Sequence, residues 1–277
     1  MKNKYNAILA MIIFIIGFTG CKKDKNTLFN EGIGQEKPYK SSSFYDNTNN
    51  PYDSIGIIHN AICQYVNEQF KENGFVLTNG VKDTLVAYSS FYDAPPPQNY
   101  HVQIETILEY IDEYLYNHGL FDQNDGLKSF CYQNDLLDGE KTIDIVYDIN
   151  DFRSSLQSHN GITSVAFQNQ LTNLVFGTDD LEDRILAAKN IESDYLAENP
   201  VSQKELMLLS VYRHSSDLWY SHSGNNIDML PPWVGSDLTG LYSIFWYGAT
   251  LPNPLGAGII IGYTALCSAV AAYEFSR

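Results

Sequence analysis

The stretch Leu238–Tyr273, LTGLYSIFWYGATLPNPLGAGIIIGYTALCSAVAAY, decides the fold because it runs for 36 residues without a formal charge. Its second half, Leu255–Tyr273, is long enough to cross a bilayer as a helix. Gly258 and Gly262 form a small-x-x-x-small pair, which lets helix backbones approach closely in membranes and in soluble bundles alike. The Gly and Ala content makes this segment a weaker lipid-facing span than a leucine-rich run would be. We therefore predict a helix that is apolar on all sides because other helices cover it.

The same segment has an alternative interpretation as a membrane-inserting hairpin within residues 238–273. Its arms would be Leu241–Thr250 and Leu255–Tyr273, and Pro252-Asn253-Pro254 would make the turn. Such an element resembles, in general character, the hydrophobic hairpins of pore-forming toxins, and it would make the protein a membrane-active effector. The two interpretations differ in whether the last helix is protected inside a globule.

Helical periodicity elsewhere predicts a mainly α fold, a multi-helix bundle with the apolar C-terminal helix in its core. The first helix is expected to follow Asp53 as its N-cap, with Ile55, Ile58, Ile62, Val66 and Phe70 on its buried face. Further helices are expected over four ranges: Asn99–His118, Ile162–Phe176, Asp179–Leu196 and Gln203–Ser221. The last of these begins with a capping box formed by Ser202 and Glu205.

Three segments are predicted to depart from helical structure. Phe75–Val86 has Asn79-Gly80 at its centre, which favours a small β-hairpin. Thr142–Ile149 alternates apolar and acidic residues, which suits a strand as well as a short helix. Asp122–Gly126 contains the start of a calcium-loop pattern, but the glycine comes one place early, so we expect a turn.

The first twenty residues have the three parts of an export signal. Lys2 and Lys4 are basic, Ala7–Phe18 is an uncharged and mostly apolar run too short for a full span, and Gly17–Cys21 supplies small residues before a cysteine. The combination resembles the lipobox signal of bacterial lipoproteins, although Phe18 stands where that family usually has Leu. The resemblance implies cleavage before Cys21, lipid on its thiol and acylation of the new amino terminus, with palmitate among the acyl chains. An ordinary signal peptide or a single membrane anchor is the alternative.

The resemblance also implies a location and a domain organisation. We expect residues 1–20 to be a signal peptide, 21–50 a lipidated flexible tether, and 51–277 an α-helical globular domain. Two or three acyl chains hold a protein durably at a membrane. The expected place is therefore the bacterial cell envelope, at the outer membrane, with the folded domain outside the cytoplasm. The segment Asn50–Asn60, NPYDSIGIIHN, in addition resembles the opening of uncharacterised exported bacterial proteins, and that resemblance implies no function.

The charge of the chain excludes one class of partner. Removal of Lys2 and Lys4 with the leader leaves 15 basic and 33 acidic residues, a net charge of about −18. Nucleic acid is a poor partner for such a chain, because its phosphates must be neutralised by Lys or Arg. Anionic lipid headgroups would also repel it, so the lipid on Cys21 rather than charge has to provide the membrane partner. A protein partner is expected but its identity is open.

Cys63, Cys131 and Cys267 remain after lipidation of Cys21, and we expect them to be buried free thiols. A Cys63–Cys131 disulfide is the alternative, because three cysteines allow one bridge. No C-x-x-C, G-x-S-x-G, Walker or H-E-x-x-H motif is present, so no cofactor or metal is indicated and no catalytic residue is assigned.

A few polar residues are nevertheless candidates for a functional site. His59 is one turn from Cys63 and beside Asn60, an arrangement that offers a base and a nucleophile, but the sequence shows no orienting acid. His214, Asp217 and His222 lie near the end of a predicted helix, and the two histidines are too far around that helix to share one ion easily. A stripe of His101, Glu105, Glu109 and Asp112 is expected to be a solvated helix face rather than a metal site. An enzyme would require His, Asp or Glu from separate helices to assemble in one cleft.

The sequence therefore predicts a membrane-anchored exported lipoprotein with a non-enzymatic, helical binding or envelope-associated domain. The membrane-active effector is the alternative, and an enzyme is the third hypothesis.

Overall fold

A computed structural model describes eight parts of the chain: residues 43–72, 100–121, 126–136, 145–159, 161–198, 202–222, 230–248 and 254–275. The described residues form nine α-helices, and they belong to one compact unit. These helices are α1 (Asp53–Glu72), α2 (Tyr100–Asn117), α3 (Gly126–Gln133), α4 (Ile149–Ser158), α5 (Val165–Phe176), α6 (Leu181–Leu196), α7 (Gln203–His222), α8 (Leu230–Trp246) and α9 (Pro254–Phe275). The predicted mainly α bundle is thus confirmed. The predicted hairpin over 75–86 and the anchor at Cys21 lie outside the described residues.

The C-terminal helix α9 is buried on every side. Each residue from 256 to 272 is buried, and the helix packs against α8, α1, α2 and α3. Its glycines make this packing close: the Cα of Gly262 faces Leu115 and Leu127, and that of Gly258 faces Phe121. The prediction of a covered apolar helix is therefore confirmed. Within the described part of the chain, no helix combines the length and the hydropathy needed to cross a membrane.

The predicted apolar stripes of α1 and α2 are part of the core around α9. The five stripe residues of α1, from Ile55 to Phe70, are at most 4% exposed. In α2 the stripe from Ile104 to Leu115 is buried in the same way. Helix α7 crosses both α1 and α8, so the middle of the bundle is the place where α1, α7, α8 and α9 meet.

Several boundaries differ from the predicted ones for local reasons. Residues 145–148 are neither strand nor helix, because Val146 N donates to Ser236 Oγ on α8 (3.0 Å) instead of to a neighbouring strand. Asp148 then caps α4 by accepting from Asn150 N and Asp151 N. Helix α8 begins at Leu230, eleven residues before the predicted hairpin arm, so Leu241 lies in the middle of a helix.

The packed part of the chain begins earlier than the predicted domain start at Pro51. In the segment 43–50, Tyr45 and Asn50 are buried, and the side chains of Asn47 and Asn50 hydrogen-bond to Glu192 of α6. The predicted tether to Asn50 is therefore anchored to the helices over its last eight residues. The segment packs there because Asn47 and Asn50 donate hydrogen bonds to the buried carboxylate of Glu192.

Candidate functional site

A line of polar residues runs through the centre of the bundle on α7. Its stripe begins with the apolar Leu206 and continues at helical spacing with Ser210, Arg213, His214 and Asp217, all of which are buried. Because buried polar groups require partners, each neighbouring helix has to supply them. Two groups result: an arginine cluster on the side of the segment 43–50, and a thiol cluster on the side of α8.

The arginine cluster consists of Asp46, Asp53, Glu192, Arg213 and His214. The Arg213 side chain is fully buried, and its guanidinium donates to Tyr45 O and to Asp53 Oδ1. It also donates from Nε (3.2 Å) and Nη2 (2.9 Å) to Glu192 Oε1. The single cation thereby joins the segment 43–50, the start of α1, and α6.

Glu192 is the second fully buried charge of this cluster. Besides the guanidinium, it accepts from Asn47 Nδ2 (2.5 Å) and from Asn50 Nδ2 (2.7 Å). Asn50 Nδ2 donates as well to Leu206 O (2.9 Å). Such a carboxylate has its lone pairs filled by donors, which is the condition under which a buried ion pair is tolerated.

Within the cluster, Asp53 is the residue that connects Arg213 to His214. Asp53 Oδ1 lies 3.1 Å from His214 Nε2, and Asp53 Oδ2 accepts from Asn47 N (2.9 Å). Burial raises the pKa of Asp53, but the hydrogen bond from His214 and the charge of Arg213 outweigh it, so the pKa is lowered overall. Asp53 begins α1 as predicted for a cap, yet its carboxylate contacts the interior of the bundle.

Two atoms of the arginine cluster are buried without a hydrogen-bond partner: Asp46 Oδ1 and His214 Nδ1. Asp46, Asp53 and His214 also offer one ligand-type atom each within 4.8 Å of one another. In the part of the chain that the structure describes, this is the one group of His, Cys, Asp or Glu side chains with the spacing of a metal site.

The thiol cluster lies on the other side of α7 and consists of His59, Asn60, Cys63 and Asp237. His59 Nε2 is 3.6 Å from Cys63 Sγ and 3.9 Å from Asp237 Oδ2, and His59 Nδ1 is 3.1 Å from Asn60 Oδ1. Asn60 Nδ2 donates to His214 O (2.6 Å), which links the two clusters. The acid that the sequence failed to show thus comes from α8.

Burial determines the protonation of the thiol cluster. It raises the pKa of Cys63 well above its usual value, and the nearby charge of Asp237 raises it further. Burial also lowers the pKa of His59 and raises that of Asp237, although their mutual attraction opposes both shifts. The neutral thiol is a poor nucleophile, because the thiolate is the reactive species.

A small cavity adjoins the thiol cluster. It has room for about one water molecule. Its lining includes Cys63, Asn67, Trp219 and His222. The arrangement therefore combines a protonated thiol with a space too small for an organic substrate.

The four predicted polar candidates do not form one site. His59 lies in the thiol cluster and His214 in the arginine cluster, where both are fully buried. His222 lies at the cavity, with Nδ1 2.7 Å from Leu218 O and its ring against Trp219. Asp217 is buried on α7 between these positions. His214 and His222 therefore lie in different surroundings, the first beside Asp53 and the second at the cavity.

The acidic stripe of α2, predicted to be a solvated face, is buried at one of its residues. Asp112 is buried, and its carboxylate accepts from Leu127 N (2.8 Å) and Lys128 N (3.0 Å) at the start of α3. Glu109 pairs with Lys128 (3.2 Å), and Glu105 accepts from Tyr132. The prediction of a solvated face was wrong at Asp112, because α3 was not predicted and needs a carboxylate at its N-terminus.

The three remaining cysteines, Cys63, Cys131 and Cys267, are buried thiols that form no disulfide. Their predicted state is confirmed, and the alternative Cys63–Cys131 bridge is not formed.

Comparison of the chain with protein-family models, with curated proteins and with solved structures gives no match. The function is therefore inferred from the residues of this chain alone.

Sequence reasoning missed Arg213, Glu192 and Asp237 as members of the buried clusters. A signal for Arg213 was present, because it stands where α7 continues the apolar stripe that starts at Leu206. Glu192 and Asp237 meet their partners from other helices, so only the fold identifies them as members of the clusters.

Proposed function

We propose that the protein is an exported bacterial lipoprotein whose helical domain serves as a binding module at the cell envelope. The observation that carries the anchor is the leader: a basic start, an apolar run of signal-peptide length and small residues before Cys21. Lipid on Cys21 holds the chain at the outer membrane, and the strongly acidic domain extends away from the lipid headgroups.

The buried clusters support a binding role for the domain. A buried ion pair often stabilises a fold less than apolar residues of the same volume would. The centre of this bundle nevertheless contains Asp53, Glu192 and Arg213 on one side and His59 with Asp237 on the other. Groups that are costly for stability are expected where a protein has a functional use for them, and positioning the residues of a binding surface is one such use.

The burial of reactive groups favours binding over catalysis. His59 and Asp237 are fully buried, the thiol of Cys63 is protonated, and the adjoining cavity has room for about one water. Among the residues that the structure describes, the packed helices leave no larger space beside these groups. The enzyme hypothesis therefore has less support than the binding module.

The position of α9 favours the binding module over a membrane-active effector. All residues from 256 to 272 are buried against other helices, so insertion would require α9 to leave the core. That step would expose the apolar faces of α1, α2 and α8 to water, at roughly 25 cal/mol for each Å².

Lipidation is tested by metabolic labelling of the full-length chain with an alkyne analogue of palmitate. We expect the wild-type chain to incorporate the label and to fractionate with membranes. Cys21→Ala should lose the label and leave the membrane fraction, because no other thiol lies after the leader at a lipobox-like site.

The matched control is Cys131→Ala, which also removes one thiol but leaves the leader unchanged. This variant should be labelled like the wild type. Equal labelling of Cys21→Ala and wild type would reject the lipoprotein proposal.

A further inference from the structure

We propose that Asp46, Asp53 and His214 bind a divalent transition-metal ion, with Zn²⁺ as the best-fitting member of that class. The inference rests on the proposed binding role, for which it names the class of ligand. It does not depend on the lipid anchor.

The geometry of the three side chains fits one ion. One ligand-type atom from each lies within 4.8 Å of the other two, and His214 Nε2 is 3.1 Å from Asp53 Oδ1. Zinc forms bonds of about 2.0–2.2 Å to imidazole nitrogen and carboxylate oxygen. Two ligands at such bond lengths are roughly 3 Å apart in the coordination shell, so these two atoms already have the separation that an ion needs.

One unpartnered atom gives independent support for a missing ligand. Asp46 Oδ1 is buried and accepts no hydrogen bond. A buried polar atom without a partner costs about 1–3 kcal/mol and calls for an explanation such as an ion. An ion at this point would satisfy the Asp46 carboxylate directly.

The ring of His214 can supply Nε2 to the ion without losing a hydrogen bond elsewhere. Without the ion, the proton on Nε2 is donated to Asp53. With the ion, the neutral ring carries this proton on Nδ1. Since Nδ1 has no partner in either tautomer, the exchange leaves one unpaired ring atom in both states.

The charges of the cluster also favour a cation. Asp46, Asp53 and Glu192 are three carboxylates near two cations: Arg213 pairs with Asp53 and Glu192, and the charge of Lys189 interacts with all three carboxylates. The carboxylates still outnumber these cations by one, and Lys189 donates its hydrogen bond to Phe44 O (2.5 Å) instead of to a carboxylate. Two nitrogens of the guanidinium donate to Glu192. The negative charge of Glu192 therefore offsets the repulsion between the guanidinium and a metal ion beside Asp53.

The donor set selects the class of metal. One imidazole nitrogen with two carboxylate oxygens suits zinc and similar first-row ions, whereas calcium and magnesium prefer oxygen ligands alone. Three protein ligands leave a coordination position for water or for a group from a partner. Because Asp46 lies in the segment 43–50, the ion would join this segment to α1 and α7.

The site is tested by calorimetric titration of the full chain, in mild detergent, with ZnCl₂. We expect Asp46→Asn to weaken zinc binding by at least about tenfold, since it removes a ligand while keeping the size of the side chain. Asp46 makes no hydrogen bond to Arg213 among the contacts described above, so the variant should keep its helical circular dichroism. The matched control, Asp179→Asn, removes an exposed carboxylate and should bind zinc like the wild type.

X-ray absorption of the zinc-loaded wild type provides a readout that does not depend on any variant. We expect nitrogen and oxygen neighbours at about 2.0–2.2 Å, including imidazole. A sulfur neighbour at about 2.3 Å would place the ion at a cysteine and overturn the proposal. Absence of zinc binding, or equal binding by Asp46→Asn, would also overturn it. Retention of the palmitate label in that case would leave the lipoprotein proposal standing.

Discussion

At the scale of single residues, Asp237 shows how burial decides the chemistry of the molecule. Its Oδ2 accepts from Ser215 Oγ and from Trp219 Nε1 (2.9 Å), but its Oδ1 is buried without a partner. Burial raises the pKa of this carboxyl and lowers that of His59, so the histidine does not supply a compensating charge at neutral pH. An ionised Asp237 is therefore a cost to the folded state.

Replacement of Asp237 by Asn should reveal this cost. Because the folded-state pKa lies above the unfolded value, the wild type loses stability as the pH rises from about 4 through the folded pKa. Asp237→Asn does not titrate, so it should exceed the wild type in unfolding free energy by about 1 kcal/mol or more at pH 8. The difference should be smaller at pH 5. Urea unfolding at the two pH values measures it.

The exposed Asp179→Asn serves as the control for the loss of one negative charge. Its unfolding free energy should match that of the wild type at both pH values. A variant at Asp237 that is less stable than the wild type at pH 8, or a difference that does not change with pH, would contradict the argument.

At the scale of elements, two close helix contacts depend on glycine, at Gly56 and Gly262. The first glycine faces backbone and the second faces flexible side chains. A Cβ at Gly56 would lie 2.6 Å from the backbone oxygen of Ser210, so α1 and α7 would have to separate. A Cβ at Gly262 would meet the ends of two leucine side chains, Leu115 at 2.8 Å and Leu127 at 3.1 Å, which can rotate away.

Alanine at these two glycines gives a matched pair of variants. Both changes gain about 1 kcal/mol in helix propensity. Gly56→Ala should nevertheless lower the unfolding free energy by about 1–3 kcal/mol, because the backbone of Ser210 cannot move aside. Gly262→Ala should lower the unfolding free energy by less. Urea midpoints of the two variants decide the matter, and a Gly56→Ala protein as stable as Gly262→Ala would show that the α1–α7 contact is not tight.

The elements also show what a sequence can predict. The stripes of α1 and α2 and the ends of α6 and α7 followed from apolar spacing and capping residues, because those signals are local. Helix α3 was missed because its first turn is capped by Asp112, fifteen residues before Leu127 in the chain. Arg213 on α7 forms an ion pair with Glu192 on α6. Local patterns carry no information about such pairs, and the candidate site is made of them.

At the scale of the whole molecule, the central position of α9 makes its exchange behaviour a test of the proposed function. Amides in the core of a domain exchange with solvent through global unfolding, whereas peripheral elements open locally. We expect residues 256–272 to be the slowest to exchange in hydrogen–deuterium measurements. Addition of lipid vesicles should not change their rate, because α9 stays in the core.

The more exposed helix α4 provides an internal reference in the same experiment, since it should exchange faster than α9 with and without vesicles. Faster exchange of α9 on addition of vesicles, with α4 unchanged, would favour the membrane-active effector over the binding module.

The attachment of the segment 43–50 has a mechanical consequence under the proposal that lipid on Cys21 tethers the chain. Lys189 donates a hydrogen bond to Phe44 O, and Arg213 donates one to Tyr45 O. Glu192 accepts hydrogen bonds from the side chains of Asn47 and Asn50. With lipid on Cys21 as proposed, tension from the anchor would meet these hydrogen bonds before it reached α1. Part of the load would then pass into α6 and α7.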